Sequence, residues 1–84
     1  MLLIGDNMFL YQRIRDLRED ADLNQTQVGE ILGINQRVYS NYETGKRQFP
    51  AHLIIQLAQF YKTSTDYLFG LTDDPKPYPR KRSK

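Results

Sequence analysis

The chain has 84 residues, with twelve lysines and arginines against ten aspartates and glutamates, and so a formal net charge of +2. This length suffices for one small domain with a modest apolar core. Cysteine is absent and His52 is the single histidine. These counts exclude disulfides and a zinc site built from cysteine and histidine, and no other metal or cofactor is expected.

The positive charge is unevenly distributed along the chain. The last ten residues carry five lysines and arginines and no acid, whereas residues 1–74 carry seven basic and ten acidic side chains, a net charge of −3. The first ten residues, MLLIGDNMFL, lack the charged start and long apolar run of a signal peptide. No segment approaches membrane-spanning length, so we expect a cytoplasmic protein that does not bind membranes.

Apolar periodicity and capping residues predict five helices and no strands. In chain order the predicted helices span residues 9–20, 25–32, 36–44, 51–61 and 65–69. Asn24, Asn35 and Ser64 stand where helix N-caps are needed, and Gly33 follows the second helix. Three prolines between positions 75 and 79 oppose a further helix. We therefore predict an all-α domain over residues 1–72 and a proline-rich basic tail over residues 73–84, flexible or draped on the surface.

Residues 25–45 predict two short amphipathic helices joined by a tight turn at Gly33. The small residue Gly29 stands where two crossing helices need close approach. The predicted core side of the pair is made of apolar residues at helical spacing: Val28, Ile31, Leu32, Ile34, Tyr39 and Tyr42. Such a pair is what a DNA-reading helix-turn-helix requires.

Several short motifs in and beside the same stretch resemble the pattern of a known protein family. They are Asn24-Gln25 before the second helix, Gly33, the run Tyr42-Glu43-Thr44-Gly45, and Lys46-Arg47 with Pro50 a few residues on. With these marks, residues 9–71 resemble the phage-repressor/Cro-like helix-turn-helix family of the xenobiotic-response-element (XRE) type. The resemblance implies a compact five-helix, lambda-repressor-like DNA-binding domain with the motif at helices 2 and 3. It further implies a homodimer, at least on DNA, that represses or activates transcription from a two-fold operator, with a repressor as the leading expectation.

The chain departs from the usual pattern of that family at three positions. Gly29 replaces the usual alanine, which costs the helix up to about 1 kcal/mol in propensity. Tyr39 fills a core position that is usually smaller and aliphatic. Val38 removes a hydroxyl that often stands there. None of these changes abolishes the predicted DNA-binding surface.

The polar side of the third helix supplies the candidates for reading bases. With Tyr39 and Tyr42 on the core side, the opposite side and the N-terminal end of the helix present Gln36, Arg37, Ser40 and Asn41. Arginine pairs with guanine, and glutamine and asparagine pair with adenine. The resemblance places base contacts at these positions, with Ser40 secondary. The alternative is an ordinary solvated helix face.

A second set of polar residues flanks the two helices. Gln25 opens the second helix, where unpaired backbone N–H groups favour an anion. The resemblance implies phosphate contacts from Gln25, Asn35, Thr44, Lys46 and Arg47. For Asn35 simple helix capping is also open and compatible with a phosphate contact, and Lys46 could be a solvated loop charge.

Two further residue sets have structural roles under the resemblance. It implies a partly buried ion pair between Arg18 and Glu43 that would orient Arg18 near phosphate, against the alternative that each is separately solvated. Aromatic and apolar residues near the end of the predicted domain either close the core between helices 4 and 5 or form part of a dimer surface. These residues are Phe60, Tyr61, Tyr67, Phe69 and Leu71, and the dimer surface would draw on the last four.

The leading function is therefore a sequence-specific DNA-binding transcriptional regulator. The alternative is a protein-interaction module, such as the DNA-binding antitoxin of a toxin–antitoxin pair, with a protein partner. An enzyme is not expected, because His52 and the acids around Asp16 lack a nucleophile or a second catalytic group. No small-molecule ligand is expected either. The basic tail has three interpretations: a solvated terminus, an arm on phosphates, or a docking segment.

Overall fold

The computed structural model of the chain describes residues 11–77, which fold into five α-helices and contain no strand. The helices are α1 (Gln12–Asp20), α2 (Gln25–Leu32), α3 (Gln36–Glu43), α4 (Ala51–Phe60) and α5 (Thr65–Leu68). The all-α prediction is confirmed, with α2 at its predicted bounds. The predictions for α3, α4 and α5 were one residue too long, because Thr44, Tyr61 and Phe69 are C-caps. Tyr11, predicted to be helical, is instead the N-cap of α1, and the predicted residues 9–10 lie outside the described range.

Side-chain caps fix the starts of three helices. The Asn24 side chain accepts a hydrogen bond from the Gln27 backbone N–H at 2.8 Å, and the Gln27 side chain accepts one from the Asn24 N–H at 2.8 Å. Asn35 caps α3 through the Val38 N–H, and Ser64 caps α5 through the Tyr67 N–H. These bonds satisfy backbone N–H groups that a helix start leaves unpaired, so local side chains fix where α2 and α3 begin.

The turn between α2 and α3 depends on two glycines. Gly33 has a φ of +77°, a left-handed backbone conformation that glycine adopts without steric cost. A Cβ on Gly29 would lie 2.8 Å from the Ile34 carbonyl oxygen, closer than non-bonded atoms approach. An alanine at position 29 therefore requires the turn backbone to move, which accounts for the glycine despite its low helix propensity.

The buried core joins all five helices. Its buried apolar members are Tyr11, Ile14, Val28, Leu32, Tyr39, Phe49, Leu53, Ile54, Leu57, Ala58 and Leu68. Tyr39 is fully buried, and its ring meets Phe49 edge-on at 6.2 Å between centroids. The Tyr42 ring stacks on the Phe49 ring, with 5.2 Å between centroids. Phe49, which no sequence signal singled out, thus forms the packing surface for the large ring at position 39.

The sequence-based prediction of the buried face of α2 was wrong for one residue. Ile31 was predicted to lie in the core, but it is 41% exposed. The buried face of α2 consists of Val28, Gly29 and Leu32. The close approach at Gly29 turns this face toward α3, which leaves Ile31 at the edge.

Residues 72–77 lie against the helices. The Arg13 guanidinium donates to the Tyr67 and Thr72 carbonyl oxygens at 3.2 and 2.8 Å and pairs with Asp73 at 3.3 Å. It also sits 4.2 Å above the Tyr67 ring. Thr63 donates to the Pro75 carbonyl oxygen at 2.7 Å. The basic residues of the predicted tail after Lys76 lie outside the described range.

Within residues 11–77 no helix has both the length and the apolar character needed to cross a bilayer.

Candidate nucleic-acid interface

The predicted reading residues form the open side of α3. Gln36 and Arg37 are exposed, and Ser40 and Asn41 are half-buried. The opposite side of the helix buries Tyr39 and Glu43. Gln36 and Arg37 are therefore open to solvent, and Ser40 and Asn41 partly so, on a helix anchored by Tyr39 and Glu43.

The start of α3 is tied to the start of α2 through two glutamines. Gln36 donates through Nε2 to the Gln25 Oε1 at 2.6 Å, and Gln25 donates through Nε2 to the Glu43 Oε1 at 3.0 Å. The predicted phosphate-contact residue Gln25 and the predicted base-contact residue Gln36 thus belong to one hydrogen-bonded chain. No sequence signal pointed to this link.

Glu43 lies at the centre of a polar cluster beneath α3. Arg18 binds its carboxylate in a bidentate manner, with Nε to Oε2 at 2.8 Å and Nη2 to Oε1 at 3.2 Å. The Tyr39 hydroxyl donates to Oε2 at 2.7 Å. Arg18 also donates to the Leu23 carbonyl oxygen at 2.9 Å. This cluster fastens α3 to α1 and α2, and the structure brings the predicted partners Arg18 and Glu43 together in it.

The electrostatics of the cluster follow from its geometry. Burial disfavours the charged carboxylate of Glu43, but hydrogen bonds from Arg18, Gln25 and Tyr39 together outweigh it and hold its pKa below the usual value. The hydrogen bond to Glu43 raises the pKa of Arg18. Burial, reinforced by Glu43, raises the pKa of Tyr39. The cluster therefore holds a charged Arg18–Glu43 pair and a neutral tyrosine at neutral pH.

This arrangement predicts an acid-sensitive contribution to stability. Because folding lowers the pKa of Glu43, its contribution is present above the unfolded value of about 4.3 and is lost as pH falls through the folded pKa. Urea unfolding from about pH 7 down to about pH 2.5 should show the wild type losing more stability below about pH 4 than Glu43→Gln. Equal pH dependence of the two proteins would contradict this assignment.

The Tyr61 hydroxyl is buried beside the same cluster. It has no hydrogen-bond partner among the described residues. Burial raises the pKa of Tyr61 to about 12, with Arg18 lowering it and Glu43 raising it by lesser amounts. The predicted dimer-surface residue Tyr61 therefore points its polar end inward.

Removing this hydroxyl should stabilise the protein. An unpaired buried hydroxyl costs about 1–3 kcal/mol, so Tyr61→Phe is expected to raise the free energy of unfolding by about 1 kcal/mol. The matched change Tyr39→Phe removes a hydroxyl that donates to Glu43, and it should lower that free energy. Thermal and urea unfolding measure both. A destabilised Tyr61→Phe would show that the hydroxyl has a partner in solution.

The remaining predicted phosphate residues flank α3. Asn35 is exposed, and its side-chain oxygen caps the helix. Thr44 is exposed and donates to the Ser40 carbonyl oxygen at 2.8 Å. Lys46 and Arg47 follow on the exposed turn between α3 and α4. The capping interpretation of Asn35 is thus realised, with the side chain still accessible.

The residues predicted to form a dimer surface differ in their exposure to solvent. Tyr61, Tyr67 and Phe69 are half-buried, and Arg13 covers the Tyr67 ring. Leu71 is 74% exposed. Phe60, predicted to help close the core, is instead an exposed residue whose ring lies 5.0 Å from that of Tyr61. Its position at the last turn of α4 carries it beyond the packed face.

A sequence profile described as helix-turn-helix matches residues 14–68, most of the chain. The chain belongs to the XRE-type helix-turn-helix family. This family consists of transcriptional regulators rather than enzymes. The profile spans the part of α1 that carries Arg18, the whole α2–α3 unit and α4 and α5.

Several named proteins are similar to this helix-turn-helix chain. It is 41% identical over 66 residues to the uncharacterized HTH-type transcriptional regulator YobD of Bacillus subtilis, covering 79% of this chain and 59% of YobD. It is 35% identical to the transcriptional regulator ImmR of Bacillus subtilis, covering 75% of this chain and 50% of ImmR. It is 39% identical to the cryptic phage CTXphi transcriptional repressor RstR of Vibrio cholerae, covering 58% of this chain and 44% of RstR.

Comparison with solved structures supports the same fold. A transcriptional regulator from Listeria innocua superposes with a TM-score of 0.68 at 22% identity, covering 88% of this chain and 63% of that chain. At this identity the likeness concerns the fold alone. The helix-turn-helix chain spans between about two fifths and three fifths of the curated relatives described above.

Proposed function

We propose that this protein is a sequence-specific DNA-binding transcriptional repressor that inserts α3 into the major groove of a two-fold operator. The observation that carries the proposal is the two-sided character of α3. One side exposes Gln36 and Arg37, and the other is fixed by the buried Glu43 cluster. Because the buried cluster already fixes α3, the helix should lose little side-chain and backbone entropy when it contacts a base edge.

The bonds that Gln36 makes leave its reading capacity intact. One N–H of its amide donates to Gln25, so the second N–H and the Oε1 remain for a ligand. A bidentate contact with adenine needs one donor and one acceptor. Gln36 can therefore read adenine while Gln25 holds it in place. Arg37, exposed beside it, has the paired donors that match guanine.

Phosphate contacts on both sides of α3 would set the position of the helix. Gln25 uses its Oε1 and one N–H within the protein, which leaves the other N–H for a phosphate oxygen. Asn35, Thr44, Lys46 and Arg47 lie exposed around the ends of α3. Because residues 1–74 carry a net charge of −3, these few donors must supply the local attraction to DNA.

The proposal includes a homodimer on DNA. A two-fold operator presents equivalent half-sites about one helical turn, 34–36 Å, apart, so two copies of α3 must face the same side of the duplex. The exposed Leu71 and the half-buried Tyr67 and Phe69 are the proposed contacts between copies. Repression is supported by the similarity to RstR, which is named as a phage repressor.

Selection of bound duplexes from a random DNA pool tests the proposed function. The expected result is enrichment of a near-palindrome with half-site centres about 10 base pairs apart. A pool that yields no enriched sequence would contradict specific DNA binding. Enrichment of a single, asymmetric site would contradict the dimer but would remain consistent with base reading by α3.

A further inference from the structure

A cleft lies between α1 and the turn that follows α3. It has a volume of about 260 Å³ and is lined by Tyr11, Gln12, Arg15, Glu43, Thr44 and Lys46. Two of these, Thr44 and Lys46, belong to the proposed phosphate-contact set. The other wall comes from α1, a helix that sequence analysis did not connect with the DNA backbone apart from Arg18.

The charge that this cleft presents is positive. The carboxylate of Glu43 is buried and bound by Arg18, Gln25 and Tyr39, so its charge is compensated within the protein. Arg15 and Lys46 remain as the cations of the lining. No hydrogen bond is made by Lys46 to any residue between 11 and 77. The cleft thus sets one arginine opposite one lysine at the edge of the proposed interface.

Arg15 is only partly engaged within the protein. Its Nε donates to the Glu19 Oε2 at 3.1 Å, and the two side chains are 55% and 52% exposed. Its two terminal nitrogens make no hydrogen bond to the described residues. An exposed pair of this kind is weak, so a phosphate can compete with Glu19 for the guanidinium. The neighbouring Asp16 accepts a hydrogen bond from Gln12.

We propose that Arg15 and Lys46 together bind one phosphate of the DNA backbone in this cleft, with Arg15 leaving Glu19 for the phosphate when DNA is bound. The inference rests on the proposed DNA-binding function and adds a contact from α1 that family membership does not assign. Arginine suits the role because its planar donors fit phosphate in a bidentate manner. The contact positions the protein and reads no base.

The test is the salt dependence of binding to the selected operator and to a random duplex. Each phosphate neutralised contributes about 0.9 to the slope of log K against log salt. Because the two cations share one phosphate, the double variant Arg15→Gln/Lys46→Gln should lower the slope by about 0.9. Arg15→Gln alone should weaken binding to both duplexes alike, which leaves the specificity ratio unchanged. Circular dichroism establishes that this surface variant is folded.

The matched control is Lys62→Gln, which removes the same charge from an exposed position after α4 that does not line the cleft. It should leave the slope and the affinities for both duplexes unchanged. If Arg15→Gln behaves like Lys62→Gln while Arg37→Ala loses operator binding, the cleft proposal is wrong and the proposed function stands. If the wild type has no preference for any duplex, the proposed sequence-specific function is wrong, and the affinities of Arg15→Gln and Lys62→Gln for the random duplex still test the cleft.

Discussion

Replacing Glu43 with alanine is expected to lower the free energy of unfolding by about 3–5 kcal/mol, a large share of the stability of a small domain. The side chains of Glu43 and Arg18 are only 3% and 12% exposed. Alanine would leave the Arg18 guanidinium, the Tyr39 hydroxyl and the Gln25 amide without their shared acceptor. Uncompensated buried charge costs more than loss of the pair as a whole. Urea unfolding measures the change.

The exposed Arg15–Glu19 pair provides the control for this prediction. Glu19→Ala breaks a pair of the same chemistry on the surface, and it should cost no more than about 0.5 kcal/mol. If Glu43→Ala does not fold, Glu43→Gln keeps the shape of the side chain and should still lower stability measurably. A cost for either variant equal to that of Glu19→Ala would show that the cluster does not hold α3.

Replacing both Gln36 and Arg37 with alanine is expected to weaken binding to the selected operator by about 30-fold or more. Each bidentate base contact contributes about 1–3 kcal/mol of discrimination, or about 5- to 150-fold. Both side chains are exposed, so their loss should change stability little. Competition binding against the selected operator and a random duplex measures the effect, which should fall mainly on the operator.

Two further variants separate base reading from general attraction. Gln56→Ala removes an exposed glutamine from α4 and should leave both affinities unchanged. Lys46→Ala removes a proposed phosphate contact and should weaken binding to both duplexes by similar factors. If the double variant loses affinity for the two duplexes equally, α3 contributes charge and does not read sequence.

The parts of the fold that sequence predicted well depend on local interactions. Asn24 and Asn35 cap α2 and α3 through residues three positions away, and Gly33 ends α2 by its own backbone conformation. Such features are visible in a short window of sequence. The juxtaposition of Arg18 with Glu43 is different, because these residues are 25 positions apart. Only the family resemblance suggested it.

The features that sequence did not reveal depend on how the helices meet. The burial of Ile31 depends on how α2 packs against the turn backbone near Gly29. Phe49 stands in a loop without periodicity, and its role appears only when Tyr39 and Tyr42 converge on it. The bonds from Gln25 to Gln36 and Glu43 likewise need two helices in contact. Helical periodicity carries no information about these distances.

Amide chemical-shift mapping of the protein titrated with its selected operator tests the central claim most directly. We expect the largest changes at residues 35–41 and 44–47 and at the side-chain amide of Gln36, with residues 51–60 of α4 little changed. A random duplex of equal length should perturb residues 44–47 and leave the Gln36 side chain near its free position. Changes confined to residues 61–71, with α3 unaffected by the operator, would contradict the account and place the functional surface elsewhere.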